Sequence, residues 1–460
     1  MSETHFKAEY TKGNIGKTML KAAFAMLPAT LAMSGYNITD TYFIGQLGSA
    51  IPLAAMGYTF PVVMLVGCIF HGLGTGTMAN LAHALGRNDS RQATALVSSG
   101  ILLVALVAIV LAGLGILGAD QIFIRLGAKG ETLFQAQTYM NVWFAGSITA
   151  AISNEGNKIL IAAGAPRVSS TMMVLGMLIN ALLDPLFIFG WGTIPAMGIK
   201  GAAIATVASQ ALSACVILVI LQHRGLLSFH SATWSGTARC WRMISKYGIP
   251  AILGMLLMPL ANFVITKITA EFGDVAVAGV SAASRLEMVA FVFPMALGTT
   301  LMPMIAQNYG AGLYQRVRDC LRFSMTFAFL FLFPMGLIFA IFAPNLVVFF
   351  TPEESVQKIM IAFMRIIPFG FCMVECMRFA GFALSACGHP QADAWLKALR
   401  ILGMQIPFSL LALYFQSLNG VFWARLLSDI LGAIITMAFA WQMLRQLPIE
   451  NLSTEAVMQT

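Results

Sequence analysis

The chain has 460 residues, of which 58% are hydrophobic and only 10% charged, and its mean hydropathy is +0.81; an ordinary soluble domain carries about a quarter charged residues. That balance excludes a soluble enzyme or binding domain, and no segment between the apolar runs is long enough to build a core of its own. The net charge of +8 does not point to nucleic acid, because the basic residues form no patch with interleaved aromatics and fall in alternate loops.

Apolar runs between polar turns predict an all-α polytopic membrane protein of twelve spans, at 16–45, 52–82, 92–118, 132–163, 167–190, 197–223, 247–271, 276–308, 317–343, 356–387, 390–416 and 419–445. Ser2 to Lys17 is polar and shows no cleavable signal pattern. Lys7, Lys12 and Lys17 precede the first span, Arg87 and Arg91 follow the second, Arg167 the fourth, Arg224, Arg239, Arg242 and Lys246 the sixth, and Arg316 and Arg318 the eighth. The alternate loops are poorer in Lys and Arg, so the positive-inside rule places both termini in the cytoplasm of a plasma-membrane protein, the inner membrane in a double-membraned cell.

Span one carries Asp40 in Tyr36-Asn37-Ile38-Thr39-Asp40, and span five carries Asp184 in Asn180-Ala181-Leu182-Leu183-Asp184-Pro185. A charge at the centre of a membrane helix costs about 2.5–3.5 kcal/mol on insertion scales. Counted from the helix ends, Asp40 lies roughly 8 Å below the outer surface, and Asp184 and Thr206 of span six fall at a similar level. Tyr36 and Asn180 stand four residues before the two acids and share their faces. Two carboxylates, an amide and a hydroxyl suit a hard cation such as Na⁺, and two close carboxyls would equally share a proton. The plainer reading stays open here: Asp40 caps a helix break and Asp184 bonds a backbone group freed by Pro185.

Gln222 to Lys246 is the most polar interruption, which predicts a first lobe at 1–223, a cytoplasmic linker at 224–246, a second lobe at 247–445 and a tail at 446–460. The halves repeat. Gly74-Thr75-Gly76-Thr77-Met78 matches Gly298-Thr299-Thr300-Leu301-Met302, and the same offset aligns Ala162-Ala163-Gly164-Ala165-Pro166 with Ala386-Cys387-Gly388-His389-Pro390. A six-span repeat preserves orientation, so the lobes should be related by a pseudo-two-fold along the membrane normal, as in alternating-access transporters.

The partner of Asp40 in the second half falls near Asn262, so the acidic site is not duplicated. Glu287 of span eight is a candidate second carboxylate or a member of a structural network, while Glu375 with Arg378 and Arg425 with Asp429 are spaced to neutralise each other. The seven cysteines are scattered through spans and cytoplasmic loops, which predicts no disulfide framework, and Cys372 with Cys376 lacks the further ligands of a metal site. Twenty-nine methionines and thirty-three phenylalanines would let a cavity repack around varied amphiphiles, although most face lipid or pack helices. No Walker A, His-Glu-x-x-His or Gly-x-Ser-x-Gly pattern occurs, so no enzyme is expected.

Asp40-Thr41-Tyr42-Phe43-Ile44-Gly45-Gln46-Leu47-Gly48, Asn180 to Gly190, Gly198 to Thr206 and Gln307-Asn308-Tyr309-Gly310-Ala311-Gly312 resemble the multidrug and toxic compound extrusion family over about residues 15–445. The resemblance implies a V-shaped pair of six-helix lobes exporting cationic amphipathic compounds in exchange for Na⁺ or H⁺, with no other cofactor and no partner beyond organic cations and membrane lipid. It places the ion on Asp40, Asn180, Asp184 and Thr206, and lines the cavity with Tyr36, Tyr139, Asn157 and, should the second lobe take part, Glu287; a monomer is expected. Ile161 stands where relatives often carry arginine. Two rivals remain, a lipid-linked oligosaccharide flippase, which should line its cavity with arginines, and a receptor or scaffold that transports nothing.

Overall fold

The computed structural model describes residues 8–228 and 233–448, and within them the chain is almost entirely helical. In chain order the helices are α1 (Ile15–Gly45), α2 (Ala50–Gly86), α3 (Ser90–Arg125), α4 (Gly130–Ala162), α5 (Pro166–Phe189), α6 (Ile199–His223), α7 (Trp234–Ala270), α8 (Asp274–Gly310), α9 (Tyr314–Ile341), the short α10 (Ala343–Val347), α11 (Glu354–Ile366), α12 (Phe371–Ala386), α13 (Pro390–Ala398), α14 (Ile406–Tyr414) and α15 (Leu418–Gln446). A 3₁₀ turn at Ile367–Gly370 joins α11 to α12, and a π-helical segment at Leu399–Gln405 joins α13 to α14. The twelve expected spans are therefore present, the tenth and eleventh as composite helices. Among the described residues ten helices are both long and apolar enough to cross a bilayer by composition alone, α1 and α4 being diluted by their polar residues.

The helix ends follow from local chemistry. Ser49, Asp89 and Ser417 cap α2, α3 and α15 by accepting backbone N–H groups, and Pro166 and Pro390 open α5 and α13, where a missing N–H costs nothing. The duplication shows in these turns. Gly164 after α4 and Gly388 after α12 both take positive φ, at 78° and 96°, and the residue after each returns a hydrogen bond to the preceding helix, Ala165 N to Leu160 O and His389 N to Leu384 O, both 2.9 Å.

The helices divide into two compact units, the first containing Phe24–Ile252 and the second Tyr10–Ala23 together with Leu253 onward. The boundaries thus fall inside α1 and α7, and α7 already starts at Trp234, within the stretch expected as linker. The start of the chain joins the second unit through specific bonds: Tyr10 N donates to Gln307 Oε1 (3.0 Å), Asn308 Nδ2 to Tyr10 O (3.1 Å) and Arg316 Nη1 to Gly13 O (3.0 Å).

Lipid gives helices little hydrophobic reason to associate, so close approach rests on small residues. In the first unit Gly146 seats Val207, Gly156 seats Ile217, and Gly76 lies against the Ile244 carbonyl. In the second, Leu332, Met360, Phe363, Phe371 and Phe422 form a buried core between α8, α9, α11, α12 and α15.

Candidate cation site in the first unit

Pro185 has no N–H to return to Ala181, one helical turn back, so α5 is weakened next to Asp184. The start of α6 is pinned to the end of α5: Met197 N donates to Phe187 O (3.0 Å), Gly198 N to Ile188 O (3.1 Å), and Gly201 packs directly on the Phe187 carbonyl. This contact fixes the start of α6 on α5, and with it the level of Thr206, five residues on from Gly201 and beside Tyr36 and Tyr139.

Asp40, Asn180, Asp184 and Thr206 are all buried, at 5%, 0%, 0% and 3% exposure. Asn180 Nδ2 donates to Asp184 Oδ1 (3.3 Å), and the polar neighbours of the Asp40 carboxyl are Asp184 and Asn180. Tyr36, whose hydroxyl lies 3.5 Å from Ser209 Oγ, borders Thr206 and both acids, as does the buried Tyr139. Four oxygens, Asp40 Oδ1, Asn180 Oδ1, Asp184 Oδ2 and Thr206 Oγ1, are buried with no partner at normal hydrogen-bond length, the Thr206 hydroxyl having Tyr36 and Tyr139 as looser neighbours and the two carboxyls each other. Buried acceptors are ordinarily satisfied. Four orphans contributed by α1, α5 and α6 at one point are a donor set for a hard cation, or, through the two acids, for a proton.

Asn157 is not part of this group: its amide donates to Ser153 O and its carbonyl accepts from Ser169 Oγ, both 2.9 Å, tying α4 to α5. Glu287 lies in the other unit and accepts from Arg425 Nη2. Arg425 therefore serves Glu287 rather than chiefly Asp429, from which its Nε is 3.7 Å away, and Asp429 takes its close bond from Arg400 Nη1 of the π segment. Glu375 and Arg378 do pair, at 2.5 Å. All seven cysteines are free, and among the described residues no three His, Cys, Asp or Glu side chains gather as a metal site would need.

Sequence reasoning passed over Ser209, Arg400 and, most of all, Glu155 and Lys158. The last two are charges inside a predicted span, which is signal enough to have flagged them.

The MatE family model matches residues 26–186 and again 250–411, two segments that start 224 residues apart, the spacing that also separates Gly74 from Gly298. The chain belongs to the MatE family. Among MatE relatives, it is 32% identical to the FAD transporter of Shewanella oneidensis over 91% of its own length and 93% of that protein's. It is 26% identical to the multidrug export protein MepA of Staphylococcus aureus over 96% and 97%. Its structure superposes on the bent form of the MATE transporter VcmN of Vibrio cholerae with a TM-score of 0.88, at 27% identity, covering 94% of this chain and 97% of that one. As a member of the MatE family the chain is an integral membrane transporter with twelve helices in two bundles, not an enzyme.

Proposed function

We propose that this transporter is a secondary antiporter that exports cationic, amphipathic organic compounds in exchange for Na⁺ or H⁺, with both termini in the cytoplasm and no cofactor beyond the coupling ion. The observation that carries the reading is the set of four unpartnered oxygens around Asp40 and Asp184. An ion that binds there with different affinity in two lobe arrangements shifts the population between them. One charge crossing the potential supplies about 2.3 kcal/mol per 100 mV, enough to sustain a severalfold to tens-of-fold substrate gradient. Similarity to a protein named a multidrug exporter supports the substrate class.

The test is transport by purified protein in vesicles given a Na⁺ gradient or a pH gradient separately, with a fluorescent organic cation as reporter. Asp40→Asn and Asp184→Asn should each abolish the ion-driven component while the protein still inserts and folds. Transport by either variant at the wild-type rate would refute the assignment.

A second reading is favoured by two observations. The relative named a FAD transporter, FAD being an anion, is 32% identical to this chain over 91% of its length. The first unit also holds a half-buried amine, Lys158, in the interior of α4. Loading the same vesicles with FAD in place of the organic cation separates the two substrate classes. Flippase activity is disfavoured, since the buried Arg400 and half-buried Arg425 of the second unit are consumed by Asp429 and Glu287.

A further inference from the structure

Glu155 lies seven residues before the end of α4, near the end of the first unit opposite to Asp40 and Asp184; measured along α5 the two levels differ by about 16 Å. Its side chain is completely buried, and neither carboxyl oxygen has a hydrogen-bond partner. The group is enclosed by glycines: a Cβ on Gly100 of α3 would stand 2.8 Å from Glu155 Oε1, and one on Gly74 of α2 would stand 3.0 Å from Oε2. The same point on Gly100 is 2.8 Å from the hydroxyl of Thr77, which is buried with no partner at normal hydrogen-bond length and is the donor that approaches the carboxyl.

One turn along the helix Lys158 is within reach of this acid, yet its amine donates to Thr75 Oγ1 (3.2 Å) instead. The remaining surroundings are neutral or occupied. His71 and Thr75 are the other polar groups that α2 presents, α3 presents Gly100, α5 offers Ser169, which is bonded to Asn157, and α6 packs the apolar Ile217 on Gly156.

An ionised carboxylate with no donor and no cation bonded to it is a costly thing to bury, and a neutral acid is far less so. A lysine that bonds a hydroxyl while such an acid stands beside it is the arrangement expected when the acid holds its proton. We propose that Glu155 is a second proton-binding carboxyl of this transporter, with Lys158 as its movable counter-ion. When the proton leaves for water at the nearer membrane face, the amine moves from Thr75 to the carboxylate, and Thr77 supplies a hydroxyl that can serve either form. When the proton returns, Lys158 goes back to Thr75. The glycines at 74 and 100 leave the room that this exchange needs. The inference does not depend on the cation site at Asp40 and Asp184.

Infrared spectroscopy of the full-length protein in lipid, stepped through pH, tests it without any transport assay. The wild type should show a protonated-carboxyl stretch that is lost as pH rises, that persists in an Asp40→Asn/Asp184→Asn double variant, and that is missing from Glu155→Gln. Identical carboxyl bands in the wild type and Glu155→Gln at every pH would overturn the proposal. Lys158→Met keeps the acid and removes only its counter-ion, so it covers the case in which Glu155→Gln does not fold. In Lys158→Met the carboxyl should stay protonated at pH values where the wild type has lost its band; loss at the same pH in both would also overturn it.

Discussion

At the scale of single residues the cation site depends on a glycine that carries no chemistry. A Cβ on Gly201 would stand 2.2 Å from the Phe187 carbonyl oxygen, 2.5 Å from its carbon and 2.9 Å from Ile188 N. All three atoms are backbone, so no rotamer change relieves the clash and α5 and α6 must separate. Overpacking of this kind costs about 1–3 kcal/mol. Because Asp184 sits one turn before Phe187 and Thr206 follows Gly201 by five residues, Gly201→Ala should both lower the melting temperature and weaken the ion dependence of transport. Gly57 of α2 has nothing within 4 Å of where a Cβ would go, and Gly57→Ala should match or slightly exceed the wild type in melting temperature. Equal behaviour of the two variants would contradict this account. The acids themselves were legible in the sequence, because a lone Asp in an apolar run stands out and counting from helix ends gives its depth. Glu155 carries the same signal, but its meaning lies in Gly74 and Gly100 on two other helices, and no spacing within span four reveals them.

At the scale of elements, the interruption of α13 and α14 by a π-helical segment places Arg400 where it can reach α15. The side chain crosses Gly432, whose absent Cβ would stand 2.8 Å from Arg400 Cγ, and ends on Asp429. π-helical turns inside helices commonly mark a functional or structural constraint of this sort. Arg400→Leu leaves Asp429 buried with only the 3.7 Å contact to Arg425, and breaking a buried pair from one side costs about 3–5 kcal/mol. The double variant Arg400→Leu/Asp429→Leu removes both charges and should recover most of that loss in thermal unfolding; a double variant no more stable than the single one would show that the pair is not what matters. Helix periodicity could pair Arg425 with Asp429, one turn apart, but the actual partners come from other helices. The same limit explains why the sequence places Tyr10–Ala23 in the first lobe: hydropathy sees one continuous span, while the bonds to Gln307, Asn308 and Arg316 that attach it to the second unit are tertiary.

At the scale of the molecule, a duplicated fold carries an unduplicated set of charges. In the second unit Glu287, Glu375, Asp393 and Asp429 each have a cationic partner, Arg425, Arg378, Lys397 and Arg400. In the first, Asp40, Asp184 and Glu155 each retain a buried oxygen with no partner and have no bonded cation, whereas Glu375, which also keeps one unpartnered oxygen, holds Arg378 on the other. Paired acids gain little from a cation, since a new ion must displace a bonded guanidinium or amine, whereas unpaired acids gain the whole interaction. The response to an ion should therefore reside in the first unit alone. If Na⁺ is the coupling ion, it stabilises the folded state by RT ln(1 + [Na⁺]/Kd), about 2.7 kcal/mol at a hundredfold excess over Kd. Thermal unfolding of the detergent-solubilised protein, titrated with NaCl against choline chloride at constant ionic strength, should show a rising melting temperature in the wild type and in Glu287→Gln, and a flat response in Asp40→Asn and Asp184→Asn. Loss of the response in Glu287→Gln with retention in Asp40→Asn would move the ion to the second unit and reverse the functional assignment of the two halves.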